Sequence, residues 1–270
     1  MQLLVVHSKS TKRFAKRYAK MNHYKNAHFL EVTEAPKINM LFRSKGYYDN
    51  VVGIGGGSVI DTAKIIARKN TCIVYPTTAS GAASTPFATV WDKSKMSIET
   101  KMPLLRSYPW KINLPKKVLK STIFDCLAHI KESFLSKNKS EESIVYSRAA
   151  FGYFLDYMRT KDIKLLITAG NIAGHAISMT GTNIIHALSY PLTIEYGIDH
   201  GTACGIIIPG VMKFYFGVSQ VPNIKYPKAK FDLNLVAEKA LEYGKIQTGL
   251  KKVTKKDLIW ILRRCLKKSR

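Results

Sequence analysis

The sequence predicts an α/β domain built on a parallel sheet, followed by an all-α domain. Short apolar runs of strand length alternate with helical patterns through the first 115 residues, and one of these runs leads directly into three consecutive glycines. After Pro115 the strand signals become sparse and helix-like stretches take over. We therefore predict two domains, residues 1–115 and residues 116–270.

The strands predicted in the first domain are short apolar runs that end in turns or lead into helical patterns. They are Gln2–His7, Ala27–Val32, Asn50–Ile54 and Thr71–Tyr75, and helices are predicted at Lys12–Lys20 and Val59–Arg68. Strands and helices that alternate at this spacing are typical of a parallel sheet.

The second domain consists of helix-like stretches with few strand signals. These stretches are Val118–Lys137, Glu141–Met158, Asp162–Met179, Ile184–Tyr190 and a closing helix within Lys251–Arg270. Thr254 and Asp257 have the spacing of a capping box at the start of the closing helix.

The composition indicates a folded protein in a reducing compartment. Hydrophobic residues make up 46% of the 270 residues and charged residues 23%, which argues against disorder. The four cysteines are scattered without a CxxC pair, so we expect reduced thiols and a cytoplasmic location. The apolar run Leu3–Val6 is too short for a signal peptide, and no stretch approaches the ~18 apolar residues of a membrane span. We expect no membrane partner.

The strong positive charge leaves two interpretations open. Lysine and arginine number 43 against 18 acidic residues, a formal net charge of +25. Such a surface would attract polyanions, either nucleic acid without sequence preference or an anionic substrate. The basic residues are spread along the whole chain, which favours ordinary solvation of the surface.

A glycine-rich turn between a strand and a helix is a candidate phosphate site. Residues 51–64 read VVGIGGGSVIDTAK, so Gly55, Gly56 and Gly57 follow the strand directly. Glycines let the backbone approach a pyrophosphate closely, and the N-terminus of the helix offers unpaired N–H groups. Ser58 either caps the helix or donates to phosphate, and Asp61 either completes a capping box or contacts the ligand. The spacing is not GxGxxG, so a plain tight turn is the alternative.

A second loop of small and hydroxyl-bearing residues follows the next strand, from Pro76 to Thr85. Ligands of open α/β sheets bind beyond the carboxyl ends of the strands, which makes this loop a candidate cofactor contact. A plain connecting loop is the alternative. Glu31, at another strand end, is a candidate for the adenosine ribose, but an exposed carboxylate is favoured, which leaves the choice between NAD and NADP open.

One carboxylate and three histidines form a candidate metal site. Asp125 and His129 are four residues apart in a helical segment, so both lie on one face and can converge on one cation. Such a pair alone is usually a plain polar face. His186 lies in an apolar stretch where an unpartnered imidazole is costly, and His200 precedes Gly201 after a turn. Neutral imidazoles with a carboxylate suit Fe²⁺ or Zn²⁺.

The chemistry that such a site supports is Lewis-acid catalysis on an alcohol or aldehyde oxygen, with a nicotinamide carrying the hydride. His175 lies eleven residues before His186, which is three helical turns. His175 and His200 are therefore candidates for passing the proton to solvent, with a structural or surface role as the favoured alternative for His175.

Four blocks of the sequence resemble the iron-containing (group III) alcohol dehydrogenases, whose superfamily includes glycerol-1-phosphate dehydrogenase and dehydroquinate synthase. The blocks are GGGSVIDTAK at 55–64, PTTASGAASTPFA at 76–88, DCLAHIKESFLS at 125–136 and HALSYPLTIEYGIDHG at 186–201. The resemblance implies a dehydroquinate synthase-like fold and a homodimer. It implies that the metal ligands are Asp125, His129, His186 and His200, and that an NAD or NADP cofactor lies near Gly55, Gly56, Gly57, Ser58, Asp61, Thr77 and Thr78.

The chain departs from this family in length and in one loop. Family members usually run well beyond 270 residues, and residues 80–84 read SGAAS where the family has Gly-Thr-Gly-Ser-Glu, with one residue fewer. The departures bear on cofactor affinity more than on metal binding. The segments SKNKSEESIVYS (136–147) and AGHAISMTGTNIIHALSYPLT (173–193) are similar to the branch containing phosphonoacetaldehyde reductases, whose anionic substrate would suit the positive charge.

The sequence thus predicts a cytoplasmic, metal-dependent NAD(P) oxidoreductase that interconverts a primary alcohol and its aldehyde. One alternative is a sugar-phosphate cyclase or lyase of the dehydroquinate synthase type, in which NAD is recycled; the Asp-x-x-x-His pair argues for the dehydrogenases. The other is a non-catalytic descendant that binds polyanions and whose shortened loops no longer hold cofactor.

Overall fold

The chain folds into a parallel α/β sheet followed by long helices, as predicted. The computed structural model describes residues 2–37, 39, 48–68, 70–92, 95–217 and 230–266. The strands are β1 Leu3–His7, β2 Ala27–Glu31, β3 Asn50–Gly55, β4 Thr71–Pro76, β5 Phe87–Trp91, β6 Lys95–Glu99 and β7 Leu104–Leu105. The helices are α1 Lys12–Met21, α2 Gly57–Ala67, α3 Lys116–Phe134, α4 Glu141–Thr160, α5 Ile163–Thr180, α6 Ile184–Tyr196, α7 His200–Phe216, α8 Leu233–Leu241 and α9 Lys255–Cys265.

The main sheet has five parallel strands in the order β2-β1-β3-β4-β7. Strand β1 is buried along its whole length because its two faces are covered by different helices. Leu3 and Val5 belong to the same apolar cluster as Phe14 of α1, while Leu4 and Val6 pack with Ile60 of α2. The strand order changes direction at β1, so a crevice for a ligand is expected beyond the carboxyl ends of β1 and β3.

The hairpin formed by β5 and β6 was not predicted. The two strands pair antiparallel outside the main sheet, with Trp91 opposite Lys95 at one end. Ala88 and Val90 pack against Ile65 of α2, so a small apolar cluster of its own attaches the hairpin to the α/β part of the fold. The sequence analysis searched for strands that alternate with helices, and a hairpin lacks that alternation.

Two helix starts test the capping predictions. Helix α2 begins at Gly57 with Gly56 as its N-cap and without a side-chain cap, so the capping box proposed for Ser58 and Asp61 is wrong. The capping box at α9 is confirmed, because the N–H of Asp257 donates to Oγ1 of Thr254 and the N–H of Thr254 donates to the Asp257 carboxylate. Residues 267–270 of the predicted closing helix lie outside the described residues.

The helical part has a larger apolar core centred on α6 and α7. Ile184, Ile185 and Leu188 of α6 are fully buried with Ile207 and Ile208 of α7. The last strand ends at residue 105 and the first long helix begins at residue 116; the domain boundary near residue 115 stays a prediction. Within the described ranges, no helix combines the length and the apolar character that a bilayer crossing requires.

The second loop is held between the sheet and helix α5 by two glycines. A Cβ atom at Gly170 would lie 2.4 Å from the carbonyl oxygen of Ala79, and one at Gly174 would lie 2.4 Å from that of Gly81. Only glycine allows the helix backbone to approach the loop this closely. Gly81 itself has a φ of +72°, a left-handed conformation that glycine adopts without strain. The loop therefore has a fixed position at the sheet edge.

Candidate functional site

Four side chains from three helices converge at one point. Helix α3 carries Asp125 and His129 one turn apart, His186 lies in the first turn of α6, and His200 is the first residue of α7. The Nε2 atoms of His129, His186 and His200 lie 3.8, 3.5 and 3.7 Å from Oδ1 of Asp125. The rings of His129 and His186 stack with centroids 4.6 Å apart. The structure thus brings together the four residues that the sequence analysis singled out as ligands.

These distances fit a shared divalent cation. Ligand atoms at ~2.1 Å from a tetrahedral ion lie ~3.4 Å from one another. Oδ1 of Asp125 and Nε2 of His186 are buried and accept or donate no hydrogen bond within the described part of the chain. Leaving such atoms unsatisfied costs about 1–3 kcal/mol each, a cost that a cation between them would remove. Imidazole and carboxylate donors suit Fe²⁺ and Zn²⁺.

Glu132, which the sequence analysis missed, fixes the position of His186. Its Oε2 lies 2.7 Å from Nδ1 of His186, and the carboxylate also accepts the backbone N–H groups of Asn183, Ile185 and His186. This leaves Nε2 of His186 directed toward Asp125. Glu132 follows Asp125 by seven residues and so lies on the same helix face as Asp125 and His129, a spacing from which its proximity to the site could have been predicted.

The pKa shifts of the four residues give the cluster the charge states that bind a cation. Burial alone would raise the pKa of Asp125, but the three imidazoles outweigh it and hold that pKa well below the ordinary value. Burial lowers the pKa of His129 to about 4 and that of His200 to about 3, so both rings are neutral at pH 7. For His186, burial is outweighed by Glu132 and Asp125, and the pKa rises to about 9. The site therefore combines an ionised carboxylate with two neutral imidazoles and one that carries an exchangeable proton.

Cys204 also lies near the four-residue cluster, but its thiol is a poorer metal ligand than the imidazoles and the carboxylate. Asp125, His186, His200 and Cys204 offer ligand atoms that all lie within 4.8 Å of one another, and Sγ of Cys204 is 3.9 Å from Nε2 of His200. Burial raises the pKa of the Cys204 thiol well above its ordinary value, which keeps the thiol protonated. A protonated thiol is a poor metal ligand, so His129 is the better fourth donor.

His175 lies away from this cluster. Its ring packs edge-on against Tyr146 of α4, with centroids 4.5 Å apart, and it does not line the cleft described below. Helix α5 ends at Thr180 and Gly181 adopts a φ of +72° before α6 begins, so the helical count from His175 to His186 does not hold. The position of His175 outside the cleft gives no support to the prediction that it relays a proton, and its contact with Tyr146 favours the structural alternative.

One cleft connects the four-residue cluster to the glycine turn. It has a volume of about 1010 Å³. The predicted site residues that line it are Gly56, Gly57, Ser58, Asp61, Thr77, Thr78, Asp125, His129, His186 and His200. Gly55 does not line the cleft; a Cβ there would lie 2.7 Å from the side chain of Val59, so its smallness serves the packing of β3 against α2.

Lys64 ties the second loop to helix α2. Its Nζ is fully buried and donates to the carbonyl oxygens of Ala82, Thr85 and Phe87. The same ammonium lies 3.1 Å from Oδ1 of Asp61. Burial raises the pKa of Asp61, and Lys64 opposes that rise. Asp61 thus lines the cleft while its carboxylate is paired with Lys64.

Two family models match the chain. The model described as iron-containing alcohol dehydrogenase matches residues 3–105, and the C-terminal model of the Fe-containing alcohol dehydrogenase family matches residues 156–231. The chain is 28% identical to phosphonoacetaldehyde reductase of Streptomyces viridochromogenes over 213 residues, which is 63% of this chain and 54% of that protein. It is 26% identical to 4-hydroxybutyrate dehydrogenase of Clostridium kluyveri over 226 residues, 70% of this chain and 61% of that protein.

The chain spans about half to three fifths of the length of these two relatives. Among solved structures, an iron-containing alcohol dehydrogenase of Thermotoga maritima has a TM-score of 0.84 at 23% identity, covering 98% of this chain and 91% of that chain. Maleylacetate reductase of Agrobacterium tumefaciens has a TM-score of 0.81 at 17% identity, covering 98% and 89%. These likenesses show the fold. The two family models show that the chain belongs to the iron-containing alcohol dehydrogenase family.

Proposed function

We propose that this protein is a metal-dependent NAD(P) oxidoreductase that interconverts a primary alcohol and its aldehyde. The observation that supports the proposal best is the convergence of three imidazole Nε2 atoms on one oxygen of Asp125, at distances of 3.5 to 3.8 Å. The cluster lies in the same cleft as the glycine turn, so a dinucleotide and a metal would meet in one space.

Asp125, His129, His186 and His200 would hold the metal, Fe²⁺ or Zn²⁺. The bound ion would supply Lewis acidity to the substrate oxygen, and the nicotinamide would supply or accept the hydride. Glu132 keeps the ring of His186 in the orientation that binding needs. A role for His200 in passing the proton to solvent stays a prediction; its Nδ1 lies 3.3 Å from the hydroxyl of Ser189.

The glycine turn and the second loop would bind the dinucleotide. Gly56 and Gly57 have no side chain that would collide with Thr78 and Ser80 of the second loop, and this leaves backbone N–H groups at the start of α2 available to phosphate. Glu31, the ribose candidate, pairs with Lys12 at 3.2 Å. Comparing NADH with NADPH oxidation decides which dinucleotide binds.

The test is metal analysis of the purified protein, followed by NADH and NADPH oxidation assays after anaerobic loading with Fe²⁺ or Zn²⁺. The aldehyde panel includes phosphonoacetaldehyde and succinic semialdehyde, because relatives of the chain are named for phosphonoacetaldehyde and 4-hydroxybutyrate. His186→Ala and Asp125→Asn should lose metal and activity together while their circular dichroism is retained. Wild-type protein that takes up neither metal nor nicotinamide would overturn the proposal.

The assay also separates the alternatives. Nicotinamide that is recycled rather than consumed in proportion to product would favour a cyclase or lyase. Salt-dependent retention on nucleic acid, with no change in NAD(P)H fluorescence, would favour a polyanion-binding descendant.

We also propose a cytoplasmic location and a homodimer. The buried thiols of Cys72, Cys126 and Cys204 are free, which is consistent with a reducing compartment. Sedimentation of the purified protein tests the dimer.

A further inference from the structure

Two lysines line the cleft close to the four-residue cluster. Lys95 begins strand β6, and Lys245 precedes the short turn that follows α8. Within the described part of the chain, neither ammonium takes part in an ion pair. Two cations that line the same cleft repel each other, so their placement there needs an explanation.

Lys95 lies at the metal end of the cleft. Its Nζ is 4.8 Å from the ring centroid of Tyr190 and 5.6 Å from that of Tyr243. The ring of Tyr190 in turn stacks parallel to that of His200, with centroids 5.5 Å apart. Lys95 and His200 thus both contact the ring of Tyr190, which places Lys95 beside a candidate metal ligand.

Lys245 approaches from the helical side. Its stem crosses Gly181, where a Cβ atom would lie 3.2 Å from Cδ of the lysine, and its Nζ is 5.5 Å from the ring centroid of Phe87. Nζ of Lys95 lies 5.6 Å from the ring centroid of Tyr243, two residues before Lys245, so both lysines border the same part of the cleft. Lys245 is exposed. Burial is the main cause that lowers the pKa of Lys95, and the ammonium of Lys245 lowers it further.

The nearby carboxylates are already engaged. The acidic residues that act on Lys95 are Asp61, Asp125 and Glu132. Asp61 pairs with Lys64, Asp125 faces the three imidazoles, and Glu132 binds His186. The positive charge of the two lysines is therefore left for a ligand to neutralise.

The geometry points to an anion-binding subsite, formed by Lys95 and Lys245, that selects aldehydes carrying a carboxylate, phosphonate or phosphate group. This inference rests on the proposed function and names its substrate class. The carbonyl of such an aldehyde would lie at the four-residue cluster while its anionic end lies between the lysines. The hydroxyls of Thr182 and Tyr243 border the same space and lie 2.8 Å apart, so one donates to the other and the second can donate to the anion.

The test compares aldehydes that differ in charge. Succinic semialdehyde and butyraldehyde have the same chain length, and only the first carries a carboxylate; phosphonoacetaldehyde replaces the carboxylate with a phosphonate. The quantity measured is the ratio of kcat/KM between the anionic and the neutral aldehyde, so a general loss of activity cancels. We expect a wild-type ratio on the order of 10 to 100, because a hydrogen bond to a charged group strengthens binding by about that factor.

Lys245→Met keeps the stem of the side chain and removes its charge, while Lys245→Arg keeps the charge. The methionine variant should lower the ratio on the order of tenfold or more, mainly through KM, and the arginine variant should restore most of it. Lys251→Met is the matched control, since Lys251 also lies over an aromatic ring, that of Phe214 at 5.6 Å, but outside the cleft. A comparison of succinic semialdehyde with phosphonoacetaldehyde shows whether the subsite prefers a carboxylate or a phosphonate.

An unchanged ratio in Lys245→Met and Lys95→Met would overturn the inference. If no aldehyde is reduced at all, the proposed function fails, and calorimetric titration with phosphonoacetate still decides the subsite. Weaker binding by Lys245→Met than by Lys251→Met at equal metal content would support it, and equal binding would reject it.

Discussion

Nδ1 of His186 lies 2.7 Å from Oε2 of Glu132, a carboxylate with no exposed surface. The same carboxylate accepts the backbone N–H groups of Asn183, Ile185 and His186. One buried side chain of α3 therefore fixes both the start of α6 and the ring of a candidate ligand. Because the ring donates through Nδ1, Nε2 is the nitrogen left to face Asp125.

Replacing this carboxylate should weaken metal binding. Glu132→Gln keeps the size of the side chain but reduces its ability to accept several hydrogen bonds, so the ring of His186 loses its fixed orientation. Loss of such a supporting contact typically lowers metal affinity by about 10- to 100-fold. Competition with a fluorescent chelator measures the affinity. Glu242→Gln, on the exposed surface, is the control, and equal affinity in the two variants would contradict a positioning role.

Metal binding should release a proton and become tighter as pH rises. The pKa of His186 is raised to about 9, so its ring is protonated at neutral pH until a cation takes the place of the proton at Nε2. Affinity should then increase about tenfold per pH unit from about pH 6.5 toward pH 9. Calorimetry in buffers of different ionisation enthalpy counts the protons. The absence of proton release near pH 7 would show that His186 is neutral beforehand.

The raised pKa of His186 also determines how the stability of the metal-free protein changes with pH. Folding raises the pKa of His186 from 6.5 to about 9, so its contribution is fully present below pH 6.5. Chelator-treated protein should lose that contribution as pH rises through about 9, and urea unfolding at pH 6.5 and pH 9.5 measures the difference. His186→Gln should remove this part of the pH dependence.

Two of the candidate ligands can be paired from local helix geometry, and the other two are brought to the site only by the tertiary fold. Asp125 and His129 could be paired from the sequence, since a spacing of four residues places both on one helix face. His186 and His200 come from other helices. The sequence made them candidates through the apolar surroundings of His186 and the turn before His200, and the family resemblance implied both as ligands, but only the fold brings them to Asp125. Counting helical turns to His175 failed at Gly181, where the chain leaves the helix and the count loses meaning.

Other features depend on tertiary contacts that the sequence does not display. Lys95 reaches the cleft because an unpredicted hairpin carries it there. Glu132 acts through backbone N–H groups that lie 51 to 54 residues further along the chain. Lys64 appears in the sequence as one charge of a helix, yet its ammonium is buried under the second loop. The spacing of Glu132 from Asp125 could have indicated that it lies near the site, but the partners of all three residues are backbone groups or rings of other elements, and no residue pattern shows those contacts.

The close approach of α5 to the second loop predicts opposite effects for glycine substitutions within helices. Gly174→Ala would place a Cβ 2.4 Å from the carbonyl oxygen of Gly81, so the loop or the helix must shift. We expect a loss of about 1–3 kcal/mol in the free energy of unfolding and weaker dinucleotide binding. Gly152→Ala in α4 meets nothing within 4 Å and should instead stabilise by about 0.5–1 kcal/mol. Urea unfolding of the two variants checks the contrast; equal effects would contradict the close packing.

The buried Lys64–Asp61 pair predicts strong coupling between two substitutions. Lys64→Met removes the donor to three loop carbonyls and leaves the Asp61 carboxylate buried without its partner. Removing one member of such a pair costs about 3–5 kcal/mol. Lys64→Met combined with Asp61→Asn should therefore be less destabilised than the sum of the single variants. Additive effects in this double-mutant cycle would show that the two side chains do not interact.

The pH dependence of substrate preference tests the two cleft lysines together. Burial and the ammonium of Lys245 lower the pKa of Lys95 to about 8, although Asp61, Asp125 and Glu132 oppose that shift. Lys95 is charged below pH 8 and neutral above it, so the preference for succinic semialdehyde over butyraldehyde should fall as pH rises from about 7 to about 9.

Lys245→Met removes the neighbouring positive charge, which should raise the pKa of Lys95 and move the fall in preference to higher pH. Because the neutral aldehyde is measured at each pH, titrations that affect both substrates equally cancel in the ratio. A preference that stays constant across this range would show that Lys95 does not bind the anionic group of the substrate, because an ammonium that binds the anion must lose its effect when it loses its proton.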